Sequence, residues 1–268
     1  MTTAARLLAP NQGSMTLQGT NTWVLAPQGE KAIVIDPGPD DPEHRRAIED
    51  ACPLGVAEVW VTHRHDDHIA IAPDLGRAMG APVRTFDPAL STGRPLQVGE
   101  TRTIGDAELE VLHIPGHTSD SVGFLLTQAD HTDFFTGDMI LGKGTTVIVH
   151  PDGNLGDYLD SLRRVADVVG ERGVRHLLPG HGPVVDDPAG WVAFYGDHRA
   201  ERLQQVRAAI AEGALTPEDV LQRVYGDLEP GVRPAAMAST LAQLHYLRET
   251  PGMGGISVPG EPPVRDPE

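Results

Sequence analysis

The chain carries its most informative residues at 62–68, which read Thr62-His63-Arg64-His65-Asp66-Asp67-His68. They contain a His-x-His-x-Asp-His pattern directly after an apolar, strand-like run. Side chains two residues apart on a strand point to the same side, so we expect the first two histidines of the pattern to bind one metal ion. The turn that follows would direct Asp67 and His68 to a second ion. The pattern predicts a metal centre rather than a solvated loop.

Three more side chains stand in contexts that suit metal ligands. His117 lies in Pro115-Gly116-His117-Thr118, Asp138 in Thr136-Gly137-Asp138, and His181 in Pro179-Gly180-His181-Gly182. Each follows a short apolar run and stands next to a glycine that lets the backbone turn closely around a site. We therefore predict that these three side chains join the cluster at 63–68.

Together with Asp36 in Ile35-Asp36-Pro37-Gly38, these motifs resemble those of the metallo-β-lactamase superfamily, over about residues 17–186. The resemblance implies an α/β fold, a four-layer αββα sandwich with a binuclear metal site at one edge. It implies that Asp138 bridges the two metals and that Asp36 is an acid behind the ligands. The remaining implied ligands are His63, His65 and His117 for the first metal, and Asp67, His68 and His181 for the second.

Other segments resemble one branch of that superfamily, which contains beta-lactamase-like protein 2 and glyoxalase-II-like hydrolases. They are Gly19-Thr20-Asn21-Thr22, the stretch from Pro115 to Ser121, and residues 156–162. In that branch a small winged-helix-like domain follows the sandwich, and His198-Arg199 with residues 237–247 resemble it. The chain departs from many members at Ile69-Ala70, which leaves the ligands intact and concerns the shape of the substrate loop.

Hydrophobic periodicity predicts alternating strands and helices in the first two thirds of the chain. We expect strands at residues 22–25, 31–35, 58–62, 83–86, 108–114, 121–126, 132–135, 146–149 and 176–178, with helices at 42–51 and 157–169. Helices are predicted at 192–212, 217–225 and 234–248. We therefore divide the chain into a catalytic domain, 1–190, and a helical appendage with its tail, 191–268. The tail from residue 250 is predicted to be loose, apart from a brief strand around Ile256 and Val258.

Composition excludes several classes of protein. The 268 residues include 38 acidic and 21 basic side chains, a net charge of −17, which disfavours non-specific binding to nucleic acid or to anionic membranes. The single cysteine, Cys52, excludes an intramolecular disulfide framework and a multi-cysteine metal site. We find no long apolar run and no signal-peptide pattern, so we expect a cytoplasmic protein without membrane contact. The sequence leaves the oligomeric state open.

The predicted donor set favours hydrolysis through two metal ions. Imidazoles with a bridging carboxylate suit Zn²⁺ best, while Mn²⁺ and Fe²⁺ are alternatives. Water between two such ions would ionise near neutral pH, and the resulting hydroxide would attack the substrate. Asp67 would orient it, and either Asp67 or a metal-bound water would protonate the leaving group.

Three functions remain open from the sequence. The first is hydrolysis of a small thioester, ester or lactone; the second is cleavage of single-stranded RNA by a metal-dependent endoribonuclease, which the net charge disfavours. The third is a non-catalytic metal-binding module, which an open His/Asp site disfavours because structural zinc sites are usually closed and rich in cysteine.

Several further side chains are expected to lie outside the chemistry. Ser119 and Ser121 lack the Gly-x-Ser-x-Gly context of a nucleophilic serine. The arginines 199, 202 and 207 are expected to be solvated or paired with Glu201 and its neighbours. The other histidines are expected to be structural or at the surface, with His150 near the site entrance and His198 on a pocket wall as the two that would touch substrate.

Overall fold

The computed structural model describes residues 4–249, which form two five-stranded mixed sheets with helices on their outer faces. The first sheet contains β1 (Ala4–Leu8), β2 (Asn21–Leu25), β3 (Ala32–Ile35), β4 (Val56–Trp60) and β5 (Val83–Arg84), in that order. Its first three strands are antiparallel, and β3, β4 and β5 run parallel to one another.

The second sheet has the order β10-β9-β8-β7-β6. Its strands are β6 (Thr101–Ile104), β7 (Ala107–His113), β8 (Val122–Thr127), β9 (Thr132–Gly137) and β10 (Val174–Pro179). Only β9 and β10 pair in parallel. This parallel pair places the carboxyl ends of β9 and β10 side by side, and Gly137 at the end of β9 lies against Thr62, which follows β4.

Seven α-helices occur in the described residues, together with a 3₁₀ turn at Pro88–Leu90. They are α1 (Pro42–Ala51), α2 (Asp66–Ile69), α3 (Ala72–Met79), α4 (Leu155–Glu171), α5 (Pro188–Ala211), α6 (Pro217–Tyr225) and α7 (Arg233–Glu249). Capping explains two of the starts: Asp41 accepts hydrogen bonds from the first turn of α1, and Thr216 and Asp219 form a capping box at α6.

Three apolar clusters join the layers. One lies between the sheets, where Trp23 and Trp60 of the first sheet meet Phe124 and Phe135 of the second. A second packs α1 and α3 on the outer face of the first sheet. The third packs α4, α5, α6 and α7 on the outer face of the second sheet. The layers are therefore helix, sheet, sheet and helix, as predicted.

The predicted strand at 146–149 is wrong, because this segment is an irregular loop. Its backbone carbonyls bond to side chains instead of a neighbouring strand: Thr146 accepts from Arg199, and Val147 accepts from His117. Most other predicted elements lie within a few residues of their observed bounds.

The helical appendage is present as α5, α6 and α7, and no strand occurs among residues 188–249. Its winged-helix type and the domain boundary at residue 190 stay predictions. The predicted tail and the strand around Ile256 and Val258 lie outside the described residues. No helix between residues 4 and 249 has the length and apolar character needed to cross a membrane.

Candidate metal centre

The metal-ligand candidates at 63–68 lie just beyond the carboxyl end of β4. That strand ends at Trp60, two residues before its predicted end, so His63 and His65 lie in the bend after the strand and not on it. His65 is the residue before α2, and Asp67 and His68 lie within this single-turn helix. The bend and the short helix, rather than strand alternation, bring these side chains together.

One group of donors consists of His63, His65 and His117. The Nε2 atoms of His63 and His117 lie 3.1 and 3.0 Å from Nδ1 of His65. All three ligand atoms lie within 4.8 Å of one another, so a single ion can contact all of them. His117 reaches this point from the loop after β7.

A second group consists of Asp67, His68 and His181. The Nε2 atom of His181 lies 3.1 Å from Oδ2 of Asp67 and 3.3 Å from Nε2 of His68. His181 follows β10 in a loop that Asn21 holds, since the Asn21 side-chain amide donates to the carbonyls of Pro179 and Gly182. These three ligand atoms form a second compact donor set.

Asp138 lies between the two groups. Its Oδ2 atom is 3.7 Å from Nε2 of His117 and 3.4 Å from Nε2 of His181, and its Oδ1 atom is 3.5 Å from Nε2 of His68. Oδ1 is buried and has no hydrogen-bond partner among the described residues, which is costly for a carboxylate oxygen unless a cation binds it. The donor set therefore fits divalent metal ions.

Gly180 makes room for this carboxylate. A Cβ atom at residue 180 would lie 2.5 Å from Oδ1 of Asp138 and 2.6 Å from Cε1 of His68. Any side chain there would displace both donors. Gly180, which stands next to His181, thus leaves space for proposed donors from two other segments, helix α2 and the loop after β9.

The second nitrogen of each of three histidines is held by a hydrogen bond. Nδ1 of His117 donates to the carbonyl of Val147 at 2.9 Å, and Nδ1 of His181 donates to that of Gly19 at 3.1 Å. Nδ1 of His68 lies 2.8 Å from Oδ2 of Asp36. Such partners fix the ring orientation and leave Nε2 free to bind a metal.

Asp36 also accepts from the backbone N–H and the hydroxyl of Thr62, each at 2.7 Å. The Thr62 hydroxyl lies 3.0 Å from Nδ1 of His63, so Asp36 is linked to both donor groups. Sequence reasoning missed Thr62, although its position before the first histidine of the pattern was a usable signal. Asp36 has φ 50°, an uncommon backbone conformation for a residue other than glycine.

Burial and charge oppose each other across the centre. Burial would lower the pKa of His68, but the carboxylates of Asp138 and Asp36 hold it well above its usual value. Burial would also lower the pKa of His181, but the carboxylate of Asp138 outweighs it and raises the pKa to about 9. Burial, followed by the nearby imidazoles of His68 and His117, holds the pKa of His63 well below its usual value. Mutual perturbation of this kind is common at functional sites.

The histidines expected near substrate lie apart from the seven donors. His150 stacks on His245, with ring centroids 3.8 Å apart. His198 lines a separate cavity beside Arg199. Ser119 bonds to Asp152 and Arg64 at the surface, and Ser121 bonds to Thr118.

The prediction that Arg199 is solvated is wrong. Its side chain is buried, donates to the carbonyl of Thr146, and lies over the ring of Tyr158. On the same helix, the Trp191 indole donates to the carbonyl of Leu141, and the Tyr195 hydroxyl accepts from the Leu141 N–H. Helix α5 thus holds the loop 138–147, which contains Asp138 and the carbonyl that orients His117.

Comparison with known proteins agrees with this geometry. Residues 15–181 match the family model of the Metallo-beta-lactamase superfamily. A Drosophila melanogaster protein named Beta-lactamase-like protein 2 homolog is 30% identical over 266 residues, covering 91% of this chain and 87% of the relative. An Aspergillus chevalieri protein named Atrochrysone carboxyl ACP thioesterase is 31% identical over 249 residues, which cover 87% of this chain and 76% of the relative.

A solved structure gives the same result for the fold. The crystal structure of a metallo-beta-lactamase family protein from Thermus thermophilus superposes with a TM-score of 0.72 at 21% identity, covering 92% of this chain and 93% of that one. The family model spans more than half of the chain, and it includes all seven donors and Asp36. The chain belongs to the metallo-beta-lactamase superfamily.

Proposed function

We propose that the chain is a two-metal hydrolase of small thioesters, esters or lactones. The observation that carries the proposal is the position of Asp138 Oδ2, which lies between a donor from each group, His117 and His181. A carboxylate shared by two ligand groups is suited to bridging adjacent cations. An open set of imidazoles and carboxylates is typical of catalytic rather than structural zinc sites.

Zinc is the metal that we expect at this centre. The donors are five imidazoles and two carboxylates, which suit Zn²⁺, and which Mn²⁺ or Fe²⁺ would also accept. When bound, two such ions would supply an activated water and polarise the reacting carbonyl group. The chain itself contributes the placement of the donors and the exclusion of solvent around them.

Asp67 is the residue that we propose for proton transfer. Its side chain is 28% exposed, whereas that of Asp138 is 11% exposed and that of Asp36 is 2% exposed. A carboxylate that handles a proton must reach both the substrate and solvent, and within the donor set Asp67 is the carboxylate that meets this need. We propose that it orients the attacking water and carries a proton to the leaving group.

We place thioesters first among the substrates. The Aspergillus chevalieri relative carries the name of a thioesterase and aligns over most of both chains. The net charge of −17 disfavours a polyanionic substrate such as single-stranded RNA. RNA cleavage and metal binding without catalysis remain the alternatives that the experiment must separate.

The test combines metal analysis with a substrate panel. Purified protein is analysed for bound metal by mass spectrometry and then given thioesters, esters, lactones and labelled single-stranded RNA, each with and without a chelator. We expect about two metal ions per chain and chelator-sensitive thioester hydrolysis. His117→Ala should lose metal and turnover, whereas His176→Ala, a histidine paired with Asp133 outside the donor set, should keep both.

Two outcomes would overturn the proposal. Chelator-sensitive cleavage of RNA alone would make the protein a nuclease. Failure to cleave any member of the panel, with two ions bound per chain, would make it a metal-binding module. A panel in which zinc, manganese and iron are each restored after chelation identifies the metal that supports turnover.

A further inference from the structure

A cavity outside the metal centre lies between residues 145–147 and helices α5, α6 and α7. Its volume is about 170 Å³, and none of the seven proposed metal donors lines it. Sites for whole small molecules usually measure about 300–1,000 Å³, so this cavity suits a group of a few atoms. Arg199, Arg202 and Gln243 form part of its wall.

The buried guanidinium of Arg199 is the unusual feature of this cavity. The residue is 4% exposed, and its Nε atom has no hydrogen-bond partner among residues 4–249. Its guanidinium donates to the carbonyl of Thr146 and lies over the ring of Tyr158, 4.7 Å from the ring centroid. Among the described residues that line the cavity, none is acidic. A buried charge without a counter-charge is costly, so this cavity is suited to a ligand that supplies one.

Two neighbours extend the polar wall. The guanidinium of Arg202 lies over the ring of Tyr225 and donates to Gln205, which leaves a second positive charge at the cavity. Gln243 is 2% exposed, and its Oε1 atom has no hydrogen-bond partner within the part of the chain that the structure describes. A glutamine amide can present either its oxygen or its NH₂ group, so it can accept from or donate to a bound group.

We propose that this cavity binds a small oxyanion group, either a phosphate or a carboxylate, between Arg199 and Arg202. Planar guanidinium groups match the oxygen pairs of both anions. The cavity shares the segment 145–147 with the metal centre, since the carbonyl of Val147 accepts from His117. The anion is either free or the charged end of a substrate, and the second case rests on the function proposed above.

Isothermal titration of the metal-loaded full chain tests the site without turnover. Inorganic phosphate and acetate are titrated separately, at constant ionic strength in chloride buffer. We expect saturable binding of at least one of them. Gln243→Glu should weaken anion binding about tenfold or more, because the new carboxylate would neutralise the positive charge of Arg199. Glutamate has nearly the same size as glutamine, so the substitution leaves the packing of the cavity wall unchanged. The control is Arg207→Ala, which removes an exposed arginine of the same helix and should leave the Kd unchanged.

Phosphate can also bind the metal ions, and the variants separate the two sites. An unchanged phosphate Kd in both Gln243→Glu and Arg202→Ala would place the anion elsewhere and overturn the proposal. Absence of binding for both anions would overturn it as well. The melting temperature of Gln243→Glu should equal or exceed that of the wild type, which separates loss of the site from loss of the fold.

A substrate pair then separates the two sources of the anion. The acetyl thioester of coenzyme A carries phosphates, and that of N-acetylcysteamine carries no charge. A rise of KM in Gln243→Glu for the first substrate alone, with kcat unchanged, means that the substrate supplies the anion. An unchanged KM for both, with phosphate binding lost, means that a free anion occupies the cavity. Because titration needs no catalysis, failure of the proposed hydrolysis would leave the result on the cavity intact.

Discussion

Asp36 connects the two donor groups through three hydrogen bonds. It accepts from the N–H and hydroxyl of Thr62 and contacts Nδ1 of His68. We predict that Asp36→Asn lowers metal affinity by about 10–100-fold, because a neutral amide orients the imidazole less firmly. Asparagine tolerates the positive φ of this position, so folding should change little. Competition with a chromophoric chelator measures the affinity.

The matched control for this substitution is Asp41→Asn. Asp41 caps α1 and lies outside the metal centre, and asparagine also caps helices well. Its metal affinity should equal that of the wild type. Wild-type affinity in Asp36→Asn would remove the role that we give to Asp36.

At the scale of single residues, the sequence could predict that the seven proposed donors lie together, but it could not predict the burial of Arg199. Four of the seven proposed donors stand in the cluster at 63–68, and the other three, His117, Asp138 and His181, each stand next to a glycine, so their chemistry is visible in a few adjacent letters. Arg199 follows the spacing of an exposed helix face, and its partner is a backbone carbonyl 53 residues away. A backbone carbonyl has no residue-specific signal, so the sequence could not reveal this contact.

The start of α4 depends on a close approach between two segments. Gly116 has φ 138°, and a Cβ atom there would lie 2.3 Å from Cα of Tyr158. We predict that Gly116→Ala lowers the free energy of unfolding by about 3 kcal/mol or more, through backbone strain and overlap. Gly170 is an exposed residue near the end of α4 with open space around its Cα. Gly170→Ala should instead raise stability by about 0.5–1 kcal/mol. Denaturant titration that gives equal effects for the two would contradict this account.

An ion-pair network joins β5 to the loop before β6. Arg84 is buried and bonds to Glu58 and Glu100. Burial would raise the pKa of Glu100, but hydrogen bonds from Arg84 and Arg94 outweigh it and lower the pKa from its ordinary 4.5. A lowered pKa adds stability that is complete above about pH 4.5 and is lost as the pH falls through the folded-state value.

We therefore predict a pH-dependent effect of Glu100→Gln. Above about pH 5 the variant should be less stable than the wild type by about 1–2 kcal/mol. The difference should shrink as the medium becomes more acidic. Urea titrations of both proteins at a series of pH values, with the same metal loading, measure it. A difference that stays constant with pH would mean that the Glu100 charge does not act as described.

Local capping signals explain which elements were predictable. The bounds of α1 and α6 were predicted to the residue, because Asp41-Pro42 and Thr216-Pro217 mark their starts. The apolar alternation at 146–149 is equally typical of a strand, yet its carbonyls bond to Arg199 and His117. Tertiary contacts therefore determine the backbone conformation of residues 146–149, and no local sequence pattern indicates these contacts.

One apolar cluster joins the second sheet to the appendage. It contains Phe134 and Leu177 of the sheet, Val192 and Val206 of α5, and Leu244 of α7. We predict that a chain ending at Gly190 fails to fold, since removal of the later helices would expose the outer face of this sheet. The full chain should unfold in one transition by circular dichroism and by tryptophan fluorescence. A folded, monomeric 1–190 fragment would show that the predicted boundary separates independent folding units.

The attachment of loop 138–147 to α5 bears on when the centre forms during protein synthesis. All seven proposed donors lie between residues 63 and 181, whereas the side chains that hold the loop are Trp191, Tyr195 and Arg199. The ribosome therefore completes the ligands before it makes the residues that fix their positions. We expect the nascent chain to acquire its metals only after residues 191–199 have left the ribosome, so that metal loading follows the synthesis of α5.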